Sequence, residues 1–322
     1  MTYARDQAPL APADQAQLVR RQARAGLLTS STSGLAPTIQ ANLLVLPARY
    51  AADFYLLCQR NPVPCPLLYA TEPGQYTCAL AKGSDIRTDI PGYNVYIDGV
   101  LDTLEPKEDI MDEWSEEHVG FLLGCSYSFE TALVKAGFTP HHMKQNKAVP
   151  MYTTNIPLIP AGVFTRGHYV VSMRWYKPED IETVREITRH PRFVAQHGEP
   201  IAWGWEGAAK IGVLEKMRRQ EVDFGDWVAG DDGDVPVFWG CGVTPQQAVL
   251  ENAIEGVVMS HKPGSMFVTD ISESETLPPL KVPKGLQSLI LGSSSLSSTL
   301  SPNEEEQTNE CSLRASCISY PS

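Results

Sequence analysis

Residues 119–137 read VGFLLGCSYSFETALVKAG, a run that changes from apolar through small and polar to amphipathic. The apolar part has strand length, Gly124 permits a tight turn, and apolar side chains then recur at helical spacing. The pattern predicts a strand, a turn and a helix. Free backbone N–H groups at such a turn favour anions, and the candidate site residues there are Cys125, Ser126, Ser128 and Glu130. A buried cysteine beside helix-capping serines would give the same pattern without catalysis.

A second Gly-Cys pair follows an apolar run at residues 237–250, VFWGCGVTPQQAVL. Cys241 stands there in the place of Cys125, and Thr244 stands in the place of Ser128. Two further pairs of segments match in the same order: 42–62 with 169–191, and 151–156 with 266–271. Three matches at nearly constant offset indicate an internal duplication of roughly 100 to 115 residues.

The fold class predicted from these patterns is α/β with mixed sheets, in which two similar strand-helix-strand halves pack as one compact unit. The predicted division has four parts: an N-terminal helix and loop at 1–41, the first half of the duplicated core at 42–156, the second half at 157–276, and a disordered Ser-rich tail at 277–322. Residues 106–118 predict a surface helix, because proline and acids stand at their start. Asp98 and Gly99 predict a hairpin turn.

The composition is that of an ordinary globular protein of 322 residues, 43% of them hydrophobic. A net charge of −12 without a dense Lys/Arg run argues against nucleic acid or an anionic membrane surface as a partner. No apolar stretch approaches the roughly 18 to 20 residues that span a bilayer. Seven scattered cysteines favour reduced thiols and a cytoplasmic location. A mitochondrial presequence is the alternative, because the first 33 residues are rich in Arg, Ala, Ser and Thr.

Further candidate residues lie at the ends of other predicted elements. Arg174 follows an apolar strand, where its planar guanidinium can anchor a carboxylate; a structural ion pair is the alternative. Tyr152 and Asn155 belong to a proline-bounded extended segment rich in hydrogen-bonding side chains. Thr244 begins a helix with a Thr-x-x-Gln capping box, and capping alone would explain it. His261 lies in a Pro-Gly turn before the last strand and is the histidine considered for proton transfer.

Nine segments in their order and spacing resemble a hydro-lyase family that includes the D-glutamate cyclases: TSGLAP, QANLLVLP, CQRNPVPCPLL, DIRTDIPGY, FLLGCSYSFE, VPMYTTNIP, VVSMR, VPVFWGCGVTPQ and SHKPGSMFVTD. The resemblance covers about residues 20 to 271. It implies a reaction in which water is lost, which in the D-glutamate cyclases closes D-glutamate to 5-oxo-D-proline. The stretch WGWEG at 203–207 departs from the family pattern, which bears on the substrate more than on the fold.

The predicted function is therefore that of a hydro-lyase, a carbon-oxygen lyase, acting on a small carboxylate-bearing or amino-acid substrate, with D-glutamate cyclisation as one form. Loss of water needs a base and an acid, for which the candidates are Cys125, Glu130, Cys241 and His261. The candidates for binding the substrate are Ser126, Ser128, Tyr152, Asn155, Arg174 and Thr244. No cofactor or metal is predicted, since the chain lacks a phosphate-binding loop, a His-Glu-x-x-His motif and a dinucleotide fingerprint.

Two alternatives to the lyase stay open. Cysteines from two similar halves can act as opposed acid and base in a cofactor-independent amino-acid racemase or epimerase, an argument by analogy. A non-catalytic carboxylate-binding protein would instead be stabilised by its ligand without turnover. The expected partner in each case is a small molecule, and a homo-oligomer is compatible with all three.

Overall fold

The strands of the protein form two antiparallel sheets. The structure, a computed structural model, describes residues 10–31, 35–102 and 105–294, without the side chains of 292–294. Within these ranges the strands are β1 (Thr38–Pro47), β2 (Leu67–Ala70), β3 (Tyr93–Ile97), β4 (Val100–Leu101), β5 (His118–Gly124), β6 (Met151–Pro157), β7 (His168–Tyr176), β8 (Ala202–Trp203), β9 (Val235–Gly240), β10 (Val257–His261) and β11 (Phe267–Ser272). The helices are α1 (Pro12–Arg24), α2 (Ala51–Arg60), α3 (Glu130–Lys135), α4 (His141–Lys144), α5 (Ile181–Thr188), α6 (Gly204–Lys210), α7 (Leu214–Arg218), α8 (Val243–Glu251) and α9 (Lys284–Ser294).

The first sheet has the strand order β2-β5-β1-β10-β3-β4, and β11 also pairs with β1. The second sheet has the order β6-β7-β9-β8. Each strand pair in the described part of the chain is antiparallel. The predicted α/β class is confirmed, but the sheets are antiparallel rather than mixed.

Strands β1 and β5 lie in the middle of the first sheet because both of their faces are apolar. Leu44 and Leu46 of β1 face one side, where α2, α8 and α9 pack, whereas Leu43 and Val45 face the other side. Every residue of both strands is buried. This burial fixes where β5 ends, and so positions the turn that follows Gly124.

The strand, turn and helix predicted at residues 119–137 are confirmed. Strand β5 ends at Gly124, a 3-10 helix spans Ser126–Phe129, and α3 begins directly after it. Gly137 has a φ of 91°, a left-handed conformation that ends the helical segment as a glycine C-cap does. The local sequence therefore determines this strand, turn and helix.

Two local predictions in the first half have different outcomes. The hairpin turn is confirmed, because Asp98 and Gly99 have φ values of 50° and 79° between β3 and β4. The surface helix predicted at 106–118 is wrong. The segment forms turns and buries Ile110 against the first sheet, so its acidic residues solvate turns rather than a helix face.

The predicted boundary between residues 156 and 157 does not separate the two sheets. Strand β6 pairs with β7, although the two belong to different predicted halves, while β10 and β11 return to the first sheet. The registers are Ala41 opposite Gly124 and Phe267 in the first sheet, and Val171 opposite Gly240 and Tyr152 in the second. In the first sheet β11, from the second predicted half, pairs with β1, and in the second sheet β6, from the first predicted half, pairs with β7. The internal duplication stays a prediction.

The described chain continues as ordered structure beyond the predicted start of the tail. Helix α9 packs on α2 and fully buries Leu286 in the same apolar cluster as Phe54. The backbone N–H groups of Lys284 and Gly285 donate to the carboxylate of Glu72, which caps the start of α9. The prediction of disorder therefore does not hold for 284–294, and residues 295–322 lie outside the described ranges. Among the described helices, none is long and apolar enough to cross a membrane.

Candidate active site

The two Gly-Cys turns come together where residues of both sheets pack. Gly124 ends β5 and Gly240 ends β9, and a cysteine follows each of them. Cys125 and Cys241 are 5% and 7% exposed and belong to one apolar cluster. The other buried members of that cluster are Tyr127, Val149, Met151, Val170, Val243 and Met266. The structure thus brings the two predicted cysteines into one place.

Close backbone and side-chain approaches explain the glycines of both turns. A Cβ atom at Gly124 would lie 1.8 Å from the carbonyl oxygen of Ala195. A Cβ atom at Gly242 would lie 1.8 Å from the Nδ2 atom of Asn42. The same Nδ2 donates to the carbonyl oxygen of Gly124 at 2.6 Å, so the amide of Asn42 links the two turns. Packing therefore requires glycine at both positions.

A buried ion pair joins the second sheet to the first Gly-Cys turn. Arg174 on β7 donates from Nε and Nη2 to one carboxylate oxygen of Glu130 on α3, at 2.8 and 2.5 Å. Its Nη1 donates to Ser172 at 3.0 Å, and its Nη2 donates to Ser126 at 3.2 Å. The other carboxylate oxygen of Glu130 lies 3.3 Å from the Nε2 of His142. The guanidinium thus holds a carboxylate, as predicted for Arg174, but this carboxylate belongs to the protein.

Glu130 is ionised in this network. Burial raises the pKa of its carboxyl group, but Arg174 and His142 together lower that pKa by more, so the net shift is downward. The rings of Phe129 and Trp239 pack over the guanidinium, 5.0 and 5.3 Å from its Cζ. A paired, buried carboxylate is a poor base, and it gains basicity only when a ligand takes Arg174 away from it.

Both cysteines are thiols at neutral pH. Burial raises the pKa of Cys241 to about 11 and raises the pKa of Cys125 above its ordinary range. Cys241 adds to the upward shift of the Cys125 pKa, whereas Arg174 opposes it. A thiol with a raised pKa can donate a proton but cannot accept one, so the chemistry open to both groups at neutral pH is that of an acid.

The 3-10 helix Pro191–Gln196 supplies a polar contact to the first turn. The Oε1 of the fully buried Gln196 accepts a hydrogen bond from the backbone N–H of Cys125 at 2.9 Å. This contact fixes the orientation of the Gln196 side-chain amide. The Nε2 of Gln196 stays buried and has no hydrogen-bond partner in the described part of the chain. The next residue, His197, places Nε2 3.0 Å from the carbonyl oxygen of Gly124, and burial lowers its pKa to about 4.

Two predicted binding residues have structural partners in the structure. The Oγ of Ser128 accepts a hydrogen bond from the backbone N–H of Gln40 at 3.1 Å. Thr244 lies inside α8, and its hydroxyl bonds both the N–H and the carbonyl of Val170, at 2.9 and 3.1 Å. The capping box predicted at Thr244 is wrong, because Gly242 is the N-cap of α8 and no side chain caps it. Both hydroxyls are thus used to join elements of the fold.

Three predicted residues have other partners than the two cysteines. Tyr152 points to the opposite face of the second sheet from Arg174, in an apolar cluster that the sheet separates from the cysteines. Asn155 is exposed and donates to the carbonyl oxygen of Lys210 at 3.2 Å. His261 ends β10 rather than lying in a turn, and it is buried with Nδ1 3.1 Å from the carbonyl oxygen of Leu43. Burial lowers its pKa to about 4, so it is neutral at pH 7.

Sequence reasoning missed several residues that complete the site, namely Asn42, His142, Ser172, Gln196 and His197. Ser172 carried a usable signal, because it precedes Arg174 by two positions on a predicted strand and therefore shares its face. Asn42 lies in the family-like segment QANLLVLP but had no role assigned to it, and His142, Gln196 and His197 lie in segments without a motif. Only the tertiary fold places them beside the two turns.

A separate cluster of His141, Asp231 and Asp234 has the ligand types of a divalent cation site. The Nε2 of His141 lies 3.1 and 3.2 Å from oxygens of the two carboxylates. The Nζ of Lys177 lies 2.9 Å from the other oxygen of Asp234. These contacts describe an ion-pair network in which Lys177 already neutralises one carboxylate.

Comparison with known proteins places the chain in a family. Residues 119–270 match the family model described as D-glutamate cyclase. A protein of Schizosaccharomyces pombe named "Putative hydro-lyase" is 50% identical over 268 residues, which is 82% of this chain and 85% of that protein. A protein of the same name from Rubrobacter xylanophilus is 45% identical over 258 residues, 80% of this chain and 95% of that protein. The chain belongs to the hydro-lyase family that includes the D-glutamate cyclases.

The solved structures that match include that of a nitrogen repressor-like protein from Methanococcus jannaschii. The TM-score is 0.31 and the identity 9%, over 77% of this chain and 92% of that chain. A similarity at this level carries no argument about fold or function. The family resemblance seen in the nine sequence segments is confirmed by the family model and by the relatives.

Proposed function

We propose that the protein is a lyase that removes water from a small amino acid with a second carboxylate, and that its reaction is the closure of D-glutamate to 5-oxo-D-proline. The observation that supports this most is the common burial of two thiols and a Glu–Arg pair around the ends of β5 and β9. Family membership gives the reaction class. The substrate is the part that the proposal adds.

The chemistry of this reaction sets what the site has to supply. The amine nitrogen attacks the γ-carboxyl carbon, a C–N bond forms, and one C–O bond breaks. The ammonium nitrogen loses two protons in all, and the departing oxygen gains two and leaves as water. Nothing is oxidised or reduced, so the site needs only a group that takes a proton from nitrogen and a group that gives one to oxygen.

The geometry suggests a role for each group in the proposed site. A substrate carboxylate that binds Arg174 would compete with Glu130, and the released Glu130 would gain the basicity to accept a proton from the amine. Cys125 or Cys241, both thiols at neutral pH, would protonate the departing oxygen. The Nε2 of Gln196, held beside Cys125, would donate a hydrogen bond to the oxyanion of the tetrahedral intermediate.

A second candidate reaction rests on the same pair of thiols. A racemase or epimerase would place the substrate Cα between Cys125 and Cys241, and one of them would have to be a thiolate. The raised pKa values of both thiols favour the lyase, since burial disfavours the thiolate that a racemase needs.

One incubation distinguishes the proposed reactions. Purified protein is mixed with D-glutamate or L-glutamate in deuterium oxide, and the products are resolved by chiral chromatography and mass spectrometry. The lyase predicts 5-oxo-D-proline without deuterium at Cα, and little product from L-glutamate. Deuterium at Cα with inversion would show racemisation, and thermal stabilisation by D-glutamate without any product would show a binding protein.

Gln196 offers a separate test within the proposed site. Gln196→Glu keeps an oxygen to accept the Cys125 N–H but replaces the free donor with an acceptor. Turnover is expected to fall by about 100-fold at pH 8, the scale of a lost oxyanion donor. It should recover as the pH falls, because a protonated Glu can donate again. An unchanged rate at pH 8 would remove Gln196 from the reaction.

A further inference from the structure

A cleft separate from the two Gly-Cys turns lies between α3, α5 and the 3-10 helix Pro191–Gln196. Its volume is about 460 Å³, within the range of pockets that bind small molecules. Its ionisable lining residues are Lys135, Glu186, His190, Arg192 and Glu273. We propose that this cleft binds a small organic carboxylate between Arg192 and Lys135.

Arg192 has a donor that is ready for such a ligand. Its Nε is buried and has no hydrogen-bond partner among the residues that the structure describes. Its Cζ lies 4.6 Å from the ring centroid of Phe193, a contact that restricts the orientation of the guanidinium. Leaving a buried donor unfilled is costly, and a carboxylate oxygen is the partner that a guanidinium fork fits best.

The charge balance in the cleft also favours an anion. Glu186 pairs with Arg189, which does not line the cleft, at 3.3 Å. Lys135 and Arg192 both act on Glu273, the remaining acidic group of the lining, and lower its pKa. When Glu273 is protonated, the one other carboxylate of the lining, Glu186, is paired with Arg189. Lys135 and Arg192 are then available to a bound anion.

Glu273 adds a pH-dependent donor. Burial raises its pKa to about 7, the hydroxyl of Thr131 donates to its Oε1 at 3.0 Å, and the nearby Glu130 adds to the upward shift. Lys135 and Arg192 oppose the shift but do not cancel it. A protonated Glu273 can donate a hydrogen bond to the ligand, whereas an ionised Glu273 repels it. The affinity for a carboxylate is therefore expected to fall as the pH rises through about 7.

Glutarate is a suitable probe, because it has two carboxylates but no amine and cannot be cyclised. Isothermal titration calorimetry at pH 6 and pH 8 measures its affinity for the full chain. Arg192→Gln is expected to weaken binding at least about tenfold at pH 6, the scale of a lost charge-assisted hydrogen bond. Arg218→Gln, a change of an exposed arginine that does not line the cleft and pairs with Glu215, should leave the affinity within about twofold. Glu273→Gln, which cannot ionise, should remove the loss of affinity between pH 6 and pH 8.

The proposal does not rest on the lyase activity, because neither Arg192 nor Lys135 has a role in the proposed reaction. Absence of glutarate binding at pH 6 would overturn the proposal. Equal affinity in Arg192→Gln and wild type would place the carboxylate elsewhere and overturn it too.

Discussion

Replacing Arg174 with methionine is expected to destabilise the fold strongly at neutral pH. The guanidinium is 1% exposed and makes four hydrogen bonds, two of them to Glu130, which is fully buried. Methionine fills a similar volume but removes the guanidinium that donates two hydrogen bonds to the carboxylate of Glu130. Removal of one partner of a buried ion pair costs about 3–5 kcal/mol of unfolding free energy, since the other charge stays in a low-dielectric environment.

The dependence of this loss on pH follows from the pKa of Glu130. In the wild type that pKa is lowered, so the carboxylate contributes stability above the unfolded pKa of about 4.3, and the contribution is lost as the pH falls through the folded value. Arg174 is the largest influence that lowers this pKa, so in Arg174→Met burial is expected to raise the folded pKa of Glu130 above the unfolded one. Protonation then accompanies folding, so the deficit of the variant relative to the wild type should shrink as the pH is lowered from 8 to 5.

Urea denaturation at pH 8 and pH 5 measures both effects. The double variant Arg174→Met/Glu130→Gln should recover much of the loss at pH 8, because it removes the unpaired charge. Arg218→Met provides a matched control, since Arg218 makes an exposed ion pair with Glu215 that is worth at most about 1 kcal/mol. A loss below about 1 kcal/mol in Arg174→Met, or a deficit independent of pH, would refute the role given to the buried pair.

The remaining predictions concern the fold around the site. Leu286→Ala should lower the unfolding free energy by about 2–5 kcal/mol in urea denaturation, because it removes the fully buried anchor of α9; a change within error would show that α9 does not dock. Gly124→Ala should cost about 1–3 kcal/mol or more, whereas Gly207→Ala, where the added Cβ meets only ordinary contacts, should be neutral or slightly stabilising; equal effects would contradict the close approach. His197 and His261 each have a pKa of about 4 in the folded protein, whereas a histidine in the unfolded chain has a pKa of about 6.5. As the pH falls, the unfolded chain therefore binds a proton at each of these histidines before the folded protein does. Stability should therefore fall between about pH 6.5 and 4, by about 3 kcal/mol for each histidine, and a flat acid titration would contradict their burial.

The sequence predicted the parts of the site that depend on short-range patterns. The turn after Gly124 follows from an apolar run, a glycine and helical spacing within nineteen residues, and the structure has all three. The second Gly-Cys pair was recognisable by its likeness to the first. Arg174 was found because it ends an apolar strand, although its partner Glu130 is 44 residues away and becomes a neighbour only when the two sheets pack.

Other parts depend on long-range packing that no local pattern encodes. The acid-rich segment 106–118 has the composition of a helix face, but Ile110 inserts into the core and holds it as turns. The tail 277–322 has a Ser-rich average composition, and this average concealed the apolar spacing that lets α9 dock through Leu286. Gln196 stands in no motif, and its contact with Cys125 spans 71 residues.

The measurement that tests the central claim most directly compares kcat for D-glutamate cyclisation among three cysteine variants. Cys125→Ser and Cys241→Ser each change a thiol in the proposed site, and Cys65→Ser changes a buried thiol in a different apolar cluster. If one site spans both Gly-Cys turns, at least one of the first two should lose about 100-fold or more in kcat with little change in KM, while Cys65→Ser keeps the wild-type rate per folded molecule. Wild-type kcat in all three variants would contradict the assignment of the reaction to the Gly-Cys turns.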